Sequence, residues 1–319
     1  MRKGSLAIVV AVLLLRVVAP THAFSSADLL PFGNFFGLRQ GCGACEEPCK
    51  FILPPIVYVG WNDDPRGVVW HEEGTGLGLL TGGYKFSQGH RVRGWWLGVT
   101  QSVNLSQNLA VLGGGWYLFP LGNEGTEFYN LVGAGSIDRT WSIKDEWWFV
   151  DGLAAFSPSD AGGFALLAGI RYDSSYSRYD SPYTTSVNSI PSNGETIKSQ
   201  AWIPLIGAQY AHRGPLTTIS TRFVGFPTLG GTFRAKESFG DFSLESRGNY
   251  RGGYFMEFFA EGSHNFGGTN IGVFVRWNDL HAKMPSLSMS FPGFPLGTTT
   301  DFDLDRHSWT VGGSVSVSF

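Results

Sequence analysis

Charge is what this chain has least of. Only 15% of its 319 residues are charged, against about a quarter in an average globular protein. A soluble protein needs charge to cover its surface, so this scarcity argues against a soluble enzyme. The 23 basic and 26 acidic residues give a formal net charge of -3. The chain therefore has no basic excess, and we expect no nucleic-acid partner.

Long apolar runs are also missing beyond the N-terminus, so the sequence predicts no transmembrane helix in the body of the chain. What the chain has instead is 44 glycines and 15% aromatic residues. Abundant glycine and aromatics with little charge are typical of a transmembrane β-barrel. A secreted β-sandwich is the alternative interpretation of the same composition.

The N-terminus has the pattern of a secretory signal peptide. Arg2 and Lys3 form a basic start, and an apolar stretch over 6–18 follows, interrupted by Arg16. Thr21-His22-Ala23 fits a small-x-small cleavage site. We therefore expect residues 1–23 to be removed. A retained anchor is the alternative, although the apolar stretch is short for a membrane span.

Cysteine is scarce, and all of it lies in one place: Cys42, Cys45 and Cys49 fall within GCGACEEPC. Export would place them in an oxidising compartment, where one local disulfide would leave one thiol over. An intermolecular bridge is an alternative. A metal site would need a fourth ligand, and the next histidine is His71. We expect a disulfide-tied turn in a periplasmic segment over 24–73, with neither metal nor cofactor.

The last fourteen residues alternate with the period of a strand. Trp309, Val311 and Val315 fall on one face, and Ser308, Ser314 and others fall on the opposite face. An exported chain that ends in such a strand resembles the closing strand of a bacterial outer-membrane barrel. The resemblance implies that Phe319 is part of the signal read by the barrel-insertion machinery.

Similar alternation predicts ten strands and a closed, antiparallel transmembrane β-barrel over 74–319, in contact with the lipid bilayer of the bacterial outer membrane. The predicted strands are 74–86, 92–104, 107–119, 141–156, 163–176, 197–212, 215–225, 250–264, 270–283 and 306–319. Short connections follow the second, fourth, sixth and eighth strands, and long ones follow the third, fifth, seventh and ninth. This is the plan of periplasmic turns and extracellular loops. Only the short connection 87–91 departs from it.

In such a barrel the apolar faces meet lipid and the polar faces meet the lumen. The predicted lumenal charges are Arg171, Asp173, Arg222, Glu257, Glu261, Arg276 and Arg306. They form either a charged constriction that filters small solutes or a packed polar interior that only holds the shape. The aromatic residues predicted for an interfacial girdle are Trp95, Trp96, Trp116, Tyr117, Trp147 and Trp148.

From Val92 onward the layout resembles the omptin family of ten-stranded outer-membrane aspartyl proteases. The similar stretches are VRGWWLGVTQSVNLSQNLAVLGGGWY, GFALLAGIRYDSSYSRYD, SNGETIKSQAWIPLIGAQY and the last strand. An omptin site uses paired acids after the third strand and an Asp-x-His pair after the seventh, which together activate a water. Here the first region holds only Glu124, Glu127 and Asp138. The second holds Asp241 and no histidine.

The sequence therefore favours a non-enzymatic barrel, either a narrow pore or a structural surface protein, with no catalytic residues. An omptin-like surface protease with rearranged acids is one alternative. An adhesin that binds surface ligands through its long loops is another, because 177–196 and 284–304 are rich in Ser, Thr, Tyr, Phe and Pro. Asp63-Asp64 and His71-Glu72-Glu73 lie before the predicted barrel, as a cation site or as a solvated linker.

Overall fold

A computed structural model describes residues 51–77, 80–106, 108–131, 135–158, 163–184, 193–239, 241–291, 294–299 and 301–317. The predicted signal peptide, the three cysteines (Cys42, Cys45 and Cys49) and the predicted insertion signal Phe319 lie outside the described residues. The predictions made for them stay predictions.

The described chain is built from strands. They are β1 (Phe51–Ile52), β2 (Ile56–Leu77), β3 (Leu80–Asn104), β4 (Leu109–Pro120), β5 (Asn123–Leu131), β6 (Gly135–Phe156), β7 (Phe164–Thr184), β8 (Gly194–Arg213), β9 (Thr217–Phe226), β10 (Gly230–Phe239), β11 (Phe242–Arg251), β12 (Gly253–Phe266), β13 (Thr269–Met284), β14 (Leu287–Phe291), β15 (Phe294–Thr299) and β16 (Asp301–Val317). No helix within the described residues is long and apolar enough to span a membrane.

Ten of these strands close into a ring. The order is β2-β3-β4-β6-β7-β8-β9-β12-β13-β16, and β16 pairs back onto β2. All these pairings are antiparallel. Closure leaves no ring strand with a free edge, as a bilayer requires. The predicted fold class, a closed antiparallel transmembrane barrel of about ten strands, is confirmed.

The remaining long strands extend the same wall upward. β5 continues β4 between β3 and β6, and β10 continues β9 beside β8. β11 pairs with β10 and β14, above the β9–β12–β13 part of the ring. The connections predicted as loops over 120–140, 226–249 and 284–304 are therefore largely β-hairpins that raise the barrel above the membrane.

The predicted start of the barrel at residue 74 was wrong. β2 begins at Ile56 and pairs with both β16 and β3, so residues 56–73 belong to the wall and not to a periplasmic segment. The predicted turn 87–91 lies inside β3, which joins the later part of the first predicted strand to the second, while residues 74–77 belong to β2. β2 and β3 stay paired from Trp61 opposite Trp95 to Leu77 opposite Leu80. The first connection above the level of these tryptophans is therefore a long β-hairpin, and the departure from the short–long plan disappears.

An apolar band surrounds the outside of the ring. Its upper edge, called the belt here, carries outward-facing tryptophans on six strands: Trp61, Trp95, Trp148, Trp202, Trp277 and Trp309. Its lower edge carries Phe156, Tyr210 and Phe266. From Trp148 to Phe156 the strand rises about 26 Å at ~3.3 Å per residue. A tilt of about 40° reduces this to ~20 Å, close to the usual apolar band.

The parts of the ring strands between these two levels are the membrane-spanning segments, for example Trp148–Phe156 and Trp309–Val317. The wall above them is called the upper barrel here. Three of the predicted girdle residues do not belong to the belt, because Trp96, Trp116 and Trp147 face inward and are buried. Each is next to another aromatic residue in the sequence. Because neighbours on a strand point to opposite faces, only one residue of each such pair can face lipid.

Candidate functional site

The seven charges predicted for the lumen all lie at inward-facing positions. Arg171 and Asp173 are on β7, and Arg222 is on β9. The others lie on β12, β13 and β16: Glu257, Glu261, Arg276 and Arg306. Each is less than 10% exposed. The sheet thus brings together, inside one ring, residues that are up to 135 positions apart in the sequence.

Glu257 is the centre of this cluster. Its Oε2 lies 2.9 Å from a terminal nitrogen of Arg171 and 3.0 Å from Nε of Arg276. Its Oε1 accepts a hydrogen bond of 2.9 Å from Arg222. Arg171 also donates to Asp151, at 2.7 Å. Three guanidinium groups therefore share one buried carboxylate, and a second acid balances part of their charge.

Aromatic rings fill the space between these charges. The Arg276 guanidinium lies 4.2 Å from the ring centre of Phe149 and 4.8 Å from that of Trp116. The Arg171 guanidinium lies 4.1 Å from the same Phe149 ring. Phe149 thus contacts two cations, a favourable arrangement for a ring whose faces are electron-rich. The plug is this set of residues: Trp116, Phe149, Asp151, Arg171, Arg222, Glu257 and Arg276.

Two smaller contacts complete the interior at this level. Arg306 forms an ion pair with Asp173, which also accepts a hydrogen bond of 3.0 Å from Trp147 Nε1. Glu261 accepts hydrogen bonds from Tyr58 and Ser314. Four arginines (171, 222, 276 and 306) thus face four acids (151, 173, 257 and 261), so the formal charges at this level balance.

Asp151 and Phe149 were missed in the sequence, although a signal for them was present. In the stretch WWFVDGLAAF, Phe149 and Asp151 occupy the same set of alternate positions as Leu153 and Ala155. The lipid-facing Trp148 and Val150 occupy the other set. The aromatic residues of this stretch point to both faces. Hydrophobicity alone therefore could not identify the lumenal face.

The centre of the plug is closed to water. Arg171, Arg276 and Glu257 are each 1% exposed or less, and Phe149 is 1% exposed. A water-filled channel would expose the side chains that line it. The barrel interior is therefore filled by side chains here, as in other small barrels.

The upper barrel is filled as well, mainly by aromatic rings. Trp70 contacts Phe86, Tyr179 and Phe233, and Phe233 contacts Phe302. These side chains are all buried. The packed interior therefore continues well above the membrane.

A buried polar group lies between this aromatic core and the plug. His90 Nε2 is 2.9 Å from Asp145 Oδ1, and the other His90 nitrogen is 3.0 Å from the Tyr179 hydroxyl. Asp145 also accepts hydrogen bonds from Ser177 at 2.6 Å and Asn123 at 3.1 Å. Burial raises the pKa of Asp145, but His90 and these donors outweigh burial and hold that pKa below its usual range.

A histidine–aspartate pair can move protons, but this pair is closed to substrate. The side chains of His90 and Asp145 are 0% and 5% exposed. Of the acids that the sequence places in the omptin-like regions, Glu124 is exposed on β5 and Asp241 is exposed in the turn just before β11. The side chains of Glu127 and Asp138 lie outside the described part.

The outer wall of the upper barrel carries charge of both signs, in different places. Exposed cations cluster on β8, β10 and β11: Lys198, Arg234, Lys236, Arg247 and Arg251. Glu245 lies among them and pairs with Arg234 and Arg247, which hold the pKa of its carboxyl below the usual range. This set of cations is called the basic wall.

On β13 and β16, outward residues face each other in directly opposed pairs. From the belt upward these are Trp277–Trp309, Asp279–His307, His281–Asp305 and Lys283–Asp303. His307 Nδ1 is 3.1 Å from Asp279, and His281 Nδ1 is 2.6 Å from Asp305. The three polar pairs are called the outer ladder.

A closed ring of ten antiparallel strands with an apolar outer band and a packed, polar interior defines a transmembrane β-barrel of the outer-membrane type. Comparison with solved structures agrees. The chain is similar to the outer-membrane protease OmpT from Escherichia coli, with a TM-score of 0.65 and 9% identity over 87% of this chain and 99% of that one.

A weaker likeness, with a TM-score of 0.27 and 12% identity, is to the β domain of the Bordetella autotransporter BrkA, over 83% of this chain and 100% of that one. No protein-family model and no curated protein matches the sequence. At these identities the likeness shows the fold alone, and the omptin resemblance predicted from the sequence holds at that level.

Proposed function

We propose that the protein is a closed, non-conducting barrel of the bacterial outer membrane that holds a rigid β-structure at the cell surface. The observation that carries this proposal is the plug around Glu257, in which every charge is paired and buried. Of the two interpretations of the lumenal charges, the pairing and burial of the plug favour the packed interior over a constriction that filters solutes.

The energetics of the plug support a permanent closure. Opening a pathway would separate Glu257 from its three arginines or displace the aromatic rings between them. Removing one partner of a buried ion pair costs about 3–5 kcal/mol. An open state that breaks several such contacts would therefore be rarely populated.

The height of the upper barrel supports a surface role. β3 alone continues for fifteen residues beyond Trp95, or about 50 Å along the strand at ~3.3 Å per residue. A filled interior makes this a stiff support. A proteolytic role has less support, because the described His90–Asp145 pair is buried beyond the reach of a peptide.

Solute uptake by proteoliposomes tests the proposal. The wild type, refolded into vesicles and shown to be inserted by its heat-modifiable migration, should allow no osmotic swelling with small sugars. A variant with Trp116→Gly and Arg276→Gly removes two neighbouring plug side chains and should allow swelling. Uptake by the wild type at a rate similar to that of this opened variant would overturn the proposal.

A second role, adhesion, is favoured by the basic wall. Five exposed cations with one acid among them create a positive field on one side of the upper barrel, which attracts anionic polymers. We propose that this surface contacts anionic glycans, as an extension of the structural role. Adhesion through the hairpin tips remains the prediction from the sequence.

Retention on a heparin column tests adhesion. Replacing Lys198, Arg234 and Arg247 by glutamate should abolish retention at physiological salt. Lys283→Glu, on the outer ladder, is the control and should leave it unchanged. Retention that is equal in all three proteins would exclude the basic wall as the contact.

A further inference from the structure

The lower rim of the barrel, at the end with the short turns, is polar on one side and apolar on the other. On β3, β13 and β16 the lowest inward-facing residues are Asn104, Asn270 and Ser316. These strands lie together in the ring, with only β2 between β3 and β16. On β4, β6 and β7 the corresponding residues are three alanines: Ala110, Ala155 and Ala165.

The three polar side chains of this rim are buried without hydrogen bonds of their own. Asn104, Asn270 and Ser316 are 1%, 4% and 3% exposed. Nδ2 of both asparagines and Oγ of the serine have no hydrogen-bond partner among the described residues. Such groups are rare in native structures, because the hydration lost on burial is not offset. These three residues are called the rim cradle.

The partner that the rim cradle lacks is an acceptor. The amide nitrogen of an asparagine carries two N–H groups and can only donate. The carbonyl oxygen of Asn270 already accepts a hydrogen bond of 3.1 Å from Asn265. Bulk water does not reach the three unpartnered atoms, because they have no accessible surface. Carbonyl or carboxylate oxygens placed against the rim would satisfy them.

The chain itself enters the barrel beside the rim cradle. Phe51 of β1 lies directly opposite Asn104, and the residues before it read Cys45-Glu46-Glu47-Pro48-Cys49-Lys50. They supply two carboxylates as well as main-chain carbonyls. From β3 to β13 there are three strand spacings, or about 14 Å, which about five extended residues can span. Residues 45–50 are therefore long enough to cross the cradle.

We propose that the rim cradle binds the cysteine-bearing stretch 42–50 of this chain. The main-chain carbonyls and the carboxylates of Glu46 and Glu47 would accept hydrogen bonds from Asn104, Asn270 and Ser316. The stretch would cross only the side of the rim formed by β3, β2, β16 and β13, so closure of the lumen still depends on the plug. Binding would also hold the three cysteines at the barrel rim.

Disulfide trapping in the full chain tests the proposal. The probes are Ser316→Cys on β16 and Ala155→Cys on β6. Both positions face inward and are buried, and each lies two strands from β3, in opposite directions around the ring. A free stretch tethered at Phe51 would reach both thiols at similar effective concentrations. A bound stretch would lie beside Ser316 only.

A glutathione buffer allows exchange between the introduced thiol and the native cysteines, and peptide mapping identifies the products. We expect about tenfold more cross-linking to 42–50 for Ser316→Cys than for Ala155→Cys. Equal yields would mean an unbound stretch, as would follow if the C-terminal carboxylate filled the cradle, and would overturn the proposal. So would the absence of cross-links in both variants. If Ser316→Cys fails to fold, Ser314→Cys takes its place one inward position higher.

Removing the amides tests whether the rim cradle holds the stretch. In the Ser316→Cys background, Asn104→Ala and Asn270→Ala should each reduce the cross-linking preference about fivefold. Asn278→Ala is the control and should leave it unchanged: Asn278 faces inward on the same strand as Asn270 and is 2% exposed, but lies above the rim. An unchanged preference in both amide variants, or an equal loss in the control, would contradict the assignment.

Discussion

The plug inside the barrel and the outer ladder on β13 and β16 both pair carboxylates with basic side chains, but in opposite environments. Around Glu257 the paired side chains are 1–10% exposed, whereas the outer pair His281–Asp305 is 19% and 28% exposed. Both sets join opposite charges on different strands. What differs is solvent, and solvent decides how much each contact contributes.

Inside, a charge without its partner cannot be screened by water, so the contacts act as one unit and also fill the lumen. Outside, water and salt screen each pair, and a typical exposed pair contributes about 0–1 kcal/mol. The plug therefore determines stability and closure. The outer ladder contributes little to either.

The largest effect should come from removing the centre of the plug. Glu257→Leu leaves Arg171, Arg222 and Arg276 buried without their shared carboxylate, and should destabilise the barrel by about 3–5 kcal/mol. Urea unfolding in lipid vesicles, followed by tryptophan fluorescence, measures this.

Glu261→Gln is the matched control, at an inward-facing position four residues further along the same strand. Glu261 bonds to Tyr58 and Ser314, which an amide can also contact. Its loss should be near 1 kcal/mol. Equal losses for the two variants would show that the shared carboxylate has no special role.

An intermediate effect is expected in the upper barrel. Asp145→Ala deprives His90, Ser177 and Asn123 of their common acceptor, and unsatisfied buried polar groups cost about 1–3 kcal/mol. Tyr179→Phe removes only one hydroxyl contact to His90, and should cost about 1 kcal/mol. If the same unfolding measurement ranks the two variants in the reverse order, Asp145 is not the centre of this group.

The smallest effect concerns the outer ladder. The folded-state pKa of His307 is raised, mainly by its hydrogen bond to Asp279. The resulting stabilisation is complete below the unfolded pKa, near 6.5, and is lost as the pH rises through the folded value. Because the side chain is 37% exposed, screening should limit it to a few tenths of a kcal/mol.

Unfolding curves at pH 6 and pH 9 for the wild type and His307→Gln measure this contribution. The difference between the two proteins should be larger at pH 6. A larger difference at pH 9 would mean that the imidazole is stabilised in its neutral form.

The membrane-spanning part of the fold was predictable because lipid enforces alternation. In β16, Trp309, Val311 and Val315 face outward between Ser and Thr residues that face inward. From the second predicted strand onward, the predicted strand ends at the short connections match those of the structure within two residues. The lumenal charges were also identifiable, since a charge on the lipid face would be costly.

Above the membrane the same rule fails, because the outer face meets water. In β3, exposed Arg91 alternates with buried Gln88 and His90, so both faces are polar and the stretch was interpreted as a turn. Asp63-Asp64-Pro65 likewise looked like a linker, although it lies in β2, a strand of the wall. Contacts such as those of Glu257 with arginines from three other strands required the closed ring.

Single-channel recording in a planar bilayer tests the filled lumen most directly. The account predicts that inserted wild-type barrels give no conductance steps, whereas Trp116→Gly with Arg276→Gly gives discrete steps under the same conditions. Wild-type steps that match those of this opened variant would contradict a lumen closed by the plug.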